Sequence, residues 1–311
     1  MQKKGNKRIN LIVLLGPTAS GKTSVATMLA GMLDSEIISA DSRQVYRGMD
    51  IGTGKDLDEF VYKGKPVPYH LTDIAEPGEK YNVFEYQRDF YQALEQIHAK
   101  GKIPVLCGGT GMYISAILNQ YQLLSVPVNP DLRDSLQNKT LDELSDILKS
   151  YKPLHNTSDT DTRKRAIRAI EIARYTNEHP DLQKELPELH PMVFGIDISR
   201  DARRERITER LYARLNEGML DEARRLHDSG LSYDDMIYYG LEYKFLALHL
   251  KGDLSYDAMV QQLNTAIHQF SKRQMTYFRK MEKDGHRIDW IDFRLSREEK
   301  ASYILDKIND A

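Results

Sequence analysis

The chain has 311 residues, of which 41% are hydrophobic and 29% charged, with a net charge of −2 and a mean hydropathy of −0.56. These values are typical of a globular protein with one large or two smaller domains, and they exclude a chain built from membrane spans. The one cysteine, Cys107, excludes an internal disulfide and a cysteine-cluster zinc site. Because no secretory signal pattern follows the basic start, we expect a soluble, cytoplasmic protein.

Roughly the first 118 residues alternate between strand and helix patterns. Apolar runs predict buried strands over residues 9–15, 36–40 and 103–107. Helices are predicted over residues 23–33 and from Asn82 to Gly101, where Asn82 and Glu85 form a capping-box pattern. This alternation predicts an α/β core with a parallel sheet. The stretch between the second strand and about Pro68 is rich in Gly, Lys and Asp, which predicts a long, partly mobile loop.

The pattern changes near residue 120. Prolines separate charged helical segments there, and no strand-like run returns before residues 192–198. We therefore predict two domains. The first is a sheet core over residues 1–119 and 190–311, whose last part is mainly helical, and the second is a helical insertion over residues 120–189.

The segment GPTASGKT matches the phosphate-loop pattern G-x-x-x-x-G-K-[ST] between a strand and a helix. In such a loop, backbone N–H groups and the helix N-terminus point at anionic oxygens, Lys22 adds a charge, and Thr23 can bind Mg²⁺. The residues predicted to bind a diphosphate or a nucleotide are Gly16, Pro17, Thr18, Ala19, Ser20, Gly21, Lys22 and Thr23.

A phosphate loop does not by itself identify a reaction. The strand over residues 103–107 ends on Gly108 and Gly109, whereas an ATP-hydrolysing protein needs an aspartate there for its Mg²⁺. The candidate carboxylate is Asp41, at the carboxyl end of the neighbouring strand. Its position leaves three roles open: a turn or cap residue, a general base, or a group that binds Mg²⁺ through water.

Positive charge is concentrated in two predicted helices. Residues 258–281 contain no acidic residue, and the polar face of this helix is predicted to consist of Lys272, Thr276, Arg279 and Lys280. Its opposing apolar stripe is predicted to consist of Leu263, Ile267, Phe270 and Tyr277. The helix predicted over residues 162–175 begins with Arg163, Lys164, Arg165 and Arg168. Each cluster is either a solvated helix face or a surface for nucleic-acid phosphates.

Five segments resemble, in content and order, those of tRNA dimethylallyltransferases. They are GPTASGKT, SADSRQVYRGMDIGTGKD, HLTDIAEP, IPVLCGGTGMYI and SKRQMTYFR. The resemblance spans residues 9 to about 280. It implies a P-loop NTPase-like fold and transfer of a dimethylallyl group from dimethylallyl diphosphate to the N6 amine of adenine-37 in a tRNA anticodon loop. Mg²⁺ is the implied cofactor, and diphosphate is the implied product.

The resemblance also implies roles for individual residues. Asp41 would accept the amine proton, while Thr23 and Arg210 would stabilise the departing diphosphate, which Thr18 would also touch. The residues implied to contact tRNA are Asp41, Ser42, Arg43, Gln44, Thr110, Arg133, Lys164, Arg165, Arg168, Lys272, Arg273, Gln274, Tyr277 and Arg279.

The chain departs from the family pattern in two places. The segment Tyr239 to Tyr243 reads YGLEY where C-V-G-Y-R is frequent, and Tyr277 stands where tryptophan is common. Two other enzymes fit the phosphate loop: an ATP-dependent small-molecule kinase and a prenyltransferase that acts on free adenine nucleotides. A non-catalytic RNA-binding module would leave Asp41 and the phosphate loop without a purpose. We expect a monomer, since a tRNA-binding cleft within one chain needs no partner subunit.

Three residue types have plainer expectations. Cys107 is expected to be a small buried strand residue, because it lies in a buried-type run with no evident base. Gly108, Gly109 and Gly111 are expected to let the backbone approach a ligand or to form a structural turn. His70 is left without a role.

Overall fold

The computed structural model describes residues 8–153, 159–182 and 185–311. The basic start over residues 1–7 lies outside this part of the chain. Two compact units are present: one runs to Asn119 and resumes over Glu188–Ala311, and the other is Gln120–Pro187. In the described ranges, no helix combines the length and the apolar character needed to cross a membrane.

The first unit is built on a parallel sheet. The strands found in the described residues are β1 (Leu11–Leu15), β2 (Ile37–Ser39), β3 (Val61–Tyr62), β4 (Lys65–Pro66), β5 (Tyr69–His70), β6 (Val105–Gly108), β7 (Pro191–Asp197) and β8 (Asp289–Asp292). Six of them lie side by side in the order β5-β2-β6-β1-β7-β8, and every pairing in this sheet is parallel. Strands β3 and β4 form a separate antiparallel hairpin. The predicted α/β class with a parallel sheet is confirmed.

Helices cover the sheet and make up the second unit. The helices found in the described residues are α1 (Lys22–Met32), α2 (Val83–Ala99), α3 (Gly111–Leu118), α4 (Pro130–Leu136), α5 (Leu141–Tyr151), α6 (Arg163–Glu178), α7 (Arg200–Asn216), α8 (Met219–Asp228), α9 (Tyr233–Met236), α10 (Leu241–Leu250), α11 (Tyr256–Lys283) and α12 (Arg297–Asn309). Short 3-10 turns occupy Leu57–Glu59, Pro180–Leu182 and Ile237–Tyr239.

Strand β1 shows why the sheet is covered on both faces. All five of its residues are fully buried. Leu11, Val13 and Leu15 point into a core formed with α2, α3 and α11, whereas Ile12 and Leu14 point into a core formed with α1 and α12. A strand that is buried on both sides reads as a continuous apolar run, which is why it could be predicted without alternation.

Helix α2 begins as its sequence predicts. The side chain of Asn82 accepts hydrogen bonds from the backbone N–H groups of Phe84 and Glu85, and the Glu85 carboxylate accepts one from the Asn82 N–H at 2.8 Å. This reciprocal capping satisfies backbone donors that the first turn leaves unpaired. The apolar side of the helix is buried at Tyr86, Phe90, Leu94 and Ile97, while Val83 in its first turn is half-buried.

The loop after β2 is more firmly packed than its composition suggests. Val45, Tyr46 and Met49 are fully buried in a third core, which they share with α7, α8, α10 and α11. The hairpin β3–β4 occupies the end of the same segment. The segment is a loop, as predicted, but its first half is anchored in apolar surroundings.

The second unit contains helices, and no strand occurs in its described residues. Helices α5 and α6 pack through Leu144, Leu148, Ala166 and Ile170. Small alanine side chains on α6 let the two helices come close, which suits a short helical unit with a small core.

Candidate active site

The phosphate loop connects β1 to α1 as its pattern predicts. Its backbone enters the left-handed region at Ala19 (φ 62°) and Gly21 (φ 78°), and α1 begins at Lys22. Gly16 leaves room for Ser20, since a Cβ at Gly16 would lie 2.8 Å from the Ser20 hydroxyl. The unpaired N–H groups at the start of α1 make this end of the helix a ready-made anion site.

Helix α11 braces the phosphate loop through Gln274. The Thr18 backbone N–H donates a 2.9 Å hydrogen bond to Gln274 Oε1, and Gln274 Nε2 donates a 2.9 Å bond to the Gly109 carbonyl. The Gln274 side chain is only 7% exposed. The family resemblance implies that Gln274 contacts tRNA, and that contact stays a prediction. In the structure its amide makes two bonds inside the protein, so it also holds the site together.

Two glycines permit this approach of α11. A Cβ at Gly109 would lie 2.5 Å from Gln274 Nε2, and one at Gly111 would lie 2.3 Å from Tyr277 Cδ1. Both contacts are closer than a carbon atom can make, so a larger residue at Gly109 would displace the Gln274 amide and one at Gly111 would displace the Tyr277 ring. At Gly109 and Gly111 the backbone therefore approaches side chains of this helix, and its approach to a ligand stays a prediction.

A cavity of about 450 Å³ adjoins the phosphate loop. Its wall combines positive, negative and apolar side chains from several elements of the first unit. Charged members are Lys22, Asp41, Arg43, Arg210, Arg214, Glu242, Lys244 and Arg273. Apolar members are Ile237, Leu241, Ile267 and Phe270, and Thr18, Thr53 and Thr110 contribute hydroxyl groups. Such a wall suits a ligand with an anionic part and an apolar part.

Two arginines on α7, Arg210 and Arg214, bring positive charge to the cavity wall. Arg210 Nη2 donates to the Thr18 hydroxyl, and Arg214 Nη2 lies 3.1 Å from the Asp56 carboxylate. Burial, helped by the charge of Arg214, lowers the pKa of Arg210 to about 10, so its guanidinium remains charged at neutral pH. Arg214 was not predicted. Its spacing of four residues from Arg210 places both on one face of the helix, which is the signal that could have found it.

Asp41 lies just beyond the carboxyl end of β2, as predicted, and lines the cavity. Its Oδ1 accepts a 3.0 Å hydrogen bond from the Arg43 backbone N–H, while the Ser42 N–H donates a 3.0 Å bond to the Thr110 hydroxyl. Asp41 therefore shapes a turn, which is one of the three roles left open. The turn holds its carboxylate in the cavity wall, and the role of general base stays a prediction.

Arg43 and Gln44, which follow Ser42 in this turn, direct their side chains to different places. Arg43 Nη1 donates a 2.6 Å bond to the Tyr238 carbonyl, and its guanidinium lies 5.7 Å from the centre of the Tyr238 ring. This cation–π arrangement leaves Arg43 in the cavity wall. Gln44 Nε2 instead donates a 2.8 Å bond to the Gly54 carbonyl, so its amide serves the loop.

Glu242 is a second carboxyl group in the cavity wall, and the sequence revealed it only as a departure from the family pattern. Burial raises its pKa, which Arg214 and Arg210 oppose and Asp41 reinforces. A desolvated carboxyl beside two arginines influences any anion that binds there.

The exposed face of α11 carries the predicted basic residues, but its buried face differs from the prediction. Leu263 and Ile267 are buried as expected, whereas Phe270 is 39% exposed and Tyr277 is half-buried, and both line the cavity. The buried face continues from Ile267 through Ser271 and Gln274. Because the side chains of Ser271 and Gln274 are polar, the sequence pattern did not predict that they are buried. A shallow groove next to the cavity is lined by Gln269, Lys272, Arg273, Thr276, Tyr277 and Lys280, of which Arg273 and Tyr277 also line the cavity.

Within the second unit, the predicted basic residues are partly paired. The Glu171 carboxylate, 2% exposed, accepts bonds from Arg133 Nη2 at 2.9 Å, from the Asn129 N–H at 2.7 Å, and from Arg168. Arg165 pairs with Asp161. Arg133 and Arg168 thus have a structural role here.

A Mg²⁺ ion would need few protein ligands at this site. The described ranges contain no group of three or more His, Cys, Asp or Glu residues that could hold a metal. Mg²⁺ commonly keeps water and substrate phosphate oxygens as ligands and uses one or two protein groups. Thr23, in the first turn of α1, and Asp41, at the neighbouring strand end, provide groups of the right chemistry.

Two other residues have structural roles. Cys107 is buried, and burial raises the pKa of its thiol to about 12, so it has no nucleophilic thiolate at neutral pH. His70 Nε2 lies 2.8 Å from the Glu36 carboxylate, which Lys100 also binds at 2.7 Å.

The fold and site define a P-loop-type α/β protein whose anion site opens into a partly apolar cavity. The family model for IPP transferase matches residues 44–281, and the one for isopentenyl transferase matches residues 9–67. The chain is 56% identical over 301 residues to tRNA dimethylallyltransferase 2 of Bacteroides fragilis, covering 97% of this chain and 98% of that one. It is 57% identical over 305 residues to tRNA dimethylallyltransferase 1 of Parabacteroides distasonis, covering 98% and 99%. The chain belongs to the IPP transferase family of tRNA dimethylallyltransferases.

Solved structures of related enzymes have the same fold. The full-length tRNA isopentenylpyrophosphate transferase of Bacillus halodurans superposes with a TM-score of 0.70 at 30% identity, covering 97% of this chain and 98% of that one. A eukaryotic dimethylallyltransferase acting on tRNA superposes with a TM-score of 0.77 at 20% identity, covering 97% and 80%, and it supports the fold alone.

Proposed function

We propose that this chain transfers a dimethylallyl group from dimethylallyl diphosphate to the N6 amine of adenine-37 in the anticodon loop of tRNA, with release of diphosphate. The observation that carries the proposal is one cavity that joins Lys22 and Arg210 to Asp41 and to an apolar wall. Membership of the IPP transferase family supports the same reaction.

The donor half of the reaction rests on the positive groups. When the bond between the allyl carbon and oxygen breaks, its electron pair moves to the diphosphate. Lys22, Arg210 and the N-terminus of α1 stabilise that charge without having to reorganise. Ile237, Leu241 and Phe270 offer apolar surface to the five-carbon chain.

The acceptor half rests on Asp41. The adenine amine attacks the allyl carbon, the new N–C bond forms as the C–O bond breaks, and the amine proton passes to the Asp41 carboxylate. Because a neutral aromatic amine is a very weak acid, its proton leaves as the new bond forms. The turn that fixes Asp41 through the Arg43 N–H keeps the base in one place.

We propose Mg²⁺ as the cofactor. Thr23 would bind the ion, and the ion would neutralise charge on the diphosphate.

For the adenine to reach the cavity, it must leave the stack of the anticodon loop. Ser42, Arg43 and Thr110 would lie beside the extruded nucleotide, and Tyr277 offers a ring on which a base could stack. Lys272, Arg273 and Arg279 on α11, with Lys164 and Arg165 on α6, would meet phosphates. Because a tRNA-binding cleft within one chain needs no partner subunit, we propose a monomer, and we propose that it acts in the cytoplasm.

The test is transfer of radiolabel from dimethylallyl diphosphate to unmodified tRNA in the presence of Mg²⁺, with wild type and Asp41→Asn. The asparagine keeps an oxygen that can accept the bond from the Arg43 N–H, but it cannot act as a base. The variant therefore distinguishes the role of Asp41 in the turn from its role in proton transfer. We expect the variant to lose a factor of roughly 10² to 10⁴ in rate, whereas its affinity for tRNA should change much less, because the amide has the shape of the carboxylate.

Other outcomes select the alternatives. Label in AMP but not in tRNA would make the chain a prenyltransferase of free nucleotides, and a phosphorylated product from ATP would make it a kinase. Full activity of Asp41→Asn would remove Asp41 from the role of base.

A further inference from the structure

A buried carboxylate that is not one of the catalytic residues binds the loop after β2. Glu222, on α8, is 4% exposed. Its Oε2 accepts hydrogen bonds from the backbone N–H groups of Asp50 at 2.9 Å and Ile51 at 2.8 Å. Its Oε1 accepts from the Gly52 N–H at 2.9 Å and from the Tyr243 hydroxyl at 2.6 Å.

Four donors converge on one carboxylate, which is why a charged group is tolerated there. Three consecutive backbone N–H groups form a concave anion site, and bonds to an ionised acceptor are stronger than neutral ones. Gly52 is required by the close packing, because a Cβ there would lie 2.7 Å from the Tyr243 ring.

Tyr243 belongs to the segment in which the sequence departs from its family pattern. Its side chain is 1% exposed. Burial and the neighbouring Glu222 raise the pKa of its hydroxyl well above the usual range, so it stays protonated and donates to Glu222.

The turn held in this way leads directly to the cavity. Thr53, the next residue, lines the cavity wall, and the Gly54 carbonyl accepts the bond from Gln44. Arg214 lies so close to Gly54 that a Cβ there would be 2.2 Å from its Nη2, and it pairs with Asp56 at 3.1 Å. The position of this turn therefore determines where Arg214 lies in the cavity wall.

Lys55 holds the other side of the same turn. Its side chain is fully buried, and Nζ donates to the Tyr46 carbonyl, to Asp50 Oδ1 at 2.7 Å and to Asp73. Because Lys55 and Glu222 bind Asp50 and its neighbours from two directions, the turn has little freedom to shift.

We propose that Glu222 and Tyr243 are positioning residues for the donor site: they fix the turn over residues 50–54. Through this turn they hold Arg214 in the cavity wall, where its guanidinium would attract the diphosphate together with Arg210. This inference rests on the proposed function and adds two residues that do not touch the substrate themselves.

The test compares Glu222→Gln, Tyr243→Phe and the control Asp221→Asn. Glutamine replaces one carboxylate oxygen by an NH₂ group that cannot accept hydrogen bonds. Since each oxygen of Glu222 accepts two bonds, two of the four are lost. Phenylalanine removes only the hydroxyl. Asp221 is an exposed neighbour on the same helix whose side chain binds Arg224 at 2.7 Å.

We expect Glu222→Gln to lower kcat/KM for the donor roughly 10- to 100-fold, chiefly through a higher KM for dimethylallyl diphosphate, with the KM for tRNA unchanged. Tyr243→Phe should act in the same direction by roughly three- to tenfold. Amide exchange at residues 50–52 should accelerate in both variants, while Asp221→Asn should match wild type.

Each contrary outcome is distinct. If kcat falls while both KM values stay constant, Glu222 only maintains the amount of folded enzyme, and the proposal is wrong. If the exchange at residues 50–52 is unchanged, the bonds to Glu222 do not fix the turn. Inactivity of wild type toward tRNA would overturn the proposed function instead, since the exchange experiment reads the turn without any substrate.

Discussion

The side-chain oxygen of Gln274 accepts a 2.9 Å hydrogen bond from the backbone N–H of Thr18, a residue 256 positions away in the sequence. One helix therefore both holds the phosphate loop and presents basic residues on its exposed face. If tRNA binds that face, as proposed, the acceptor and donor sites share a rigid element. A substitution that shifts this helix would then alter both donor binding and tRNA binding.

We expect Gln274→Ala to raise the KM for dimethylallyl diphosphate about tenfold, because two hydrogen bonds, each contributing roughly 0.5 to 1.5 kcal/mol, are lost from the loop. Gln274→Glu should be worse, since it sets a carboxylate oxygen against the Gly109 carbonyl. Steady-state kinetics at saturating tRNA measure both effects. Gln262→Ala, an exposed glutamine of the same helix, is the control. An unchanged KM in Gln274→Ala would show that the loop keeps its shape without this brace.

Arg210 should matter most when charge develops on the departing diphosphate. We expect Arg210→Ala to lower kcat by roughly 10² to 10³ and to weaken inhibition by diphosphate, because a positive group aimed at the leaving oxygens is removed. Arg210→Lys should recover part of the rate. Arg204, an exposed arginine on the same helix, gives the matched alanine control. A normal kcat in Arg210→Ala would exclude leaving-group stabilisation by this residue.

Local patterns predicted much of this architecture and less of the site. The phosphate loop, the buried run of β1 and the cap at Asn82 could be predicted because each depends on residues adjacent in sequence. The Gln274 brace could not, since its partners are distant and its polar side chain interrupts the apolar stripe of α11. Phe270 was placed in the apolar stripe because its side chain is apolar. In the structure the buried face instead continues through the polar residues Ser271 and Gln274, and Phe270 is 39% exposed.

Lys272→Ala and Arg279→Ala should weaken tRNA binding and flatten its dependence on salt. Removing one side chain that neutralises a phosphate is expected to lower the slope of log K against log salt by roughly 0.7 to 0.9. Arg133→Ala should leave the slope unchanged, because its guanidinium is paired with Glu171. Filter binding over a salt series measures the slopes, with Lys307→Ala on α12 as the control. Equal slopes in all variants would mean that the exposed face of α11 does not meet phosphates.

Glu242 should couple donor binding to pH. Its pKa is already raised by burial, and a bound diphosphate would raise it further, so binding should take up a proton. Diphosphate affinity should then fall as pH rises through the raised pKa. Glu242→Gln should remove this contribution and bind more tightly at high pH. Calorimetric titration of both proteins at several pH values is the measurement, and the ligand's own titration cancels in the comparison. Identical pH profiles would show that Glu242 does not sense the diphosphate.

The ion-paired Glu171 should make the helical unit sensitive to acid. Burial raises the pKa of this carboxyl, but the bonds from Arg133, from the Asn129 N–H and from Arg168 outweigh it and lower the pKa to about 2. Because the folded pKa lies below the unfolded one, the stabilisation is complete above the unfolded value of about 4.5 and is lost as pH falls toward 2. Its size at neutral pH is on the order of 3 kcal/mol.

Urea unfolding of the full chain, followed by helical circular dichroism, tests this for wild type and Glu171→Gln. The difference between the two proteins in free energy of unfolding should be largest at pH 7 and should shrink between pH 5 and pH 3. Glu178→Gln, an exposed glutamate on α6 that pairs with Arg174, should show almost no such dependence, because a solvent-exposed pair contributes little. A difference that stays constant with pH would mean that Glu171 stabilises α6 by its shape, and that its charge is not needed.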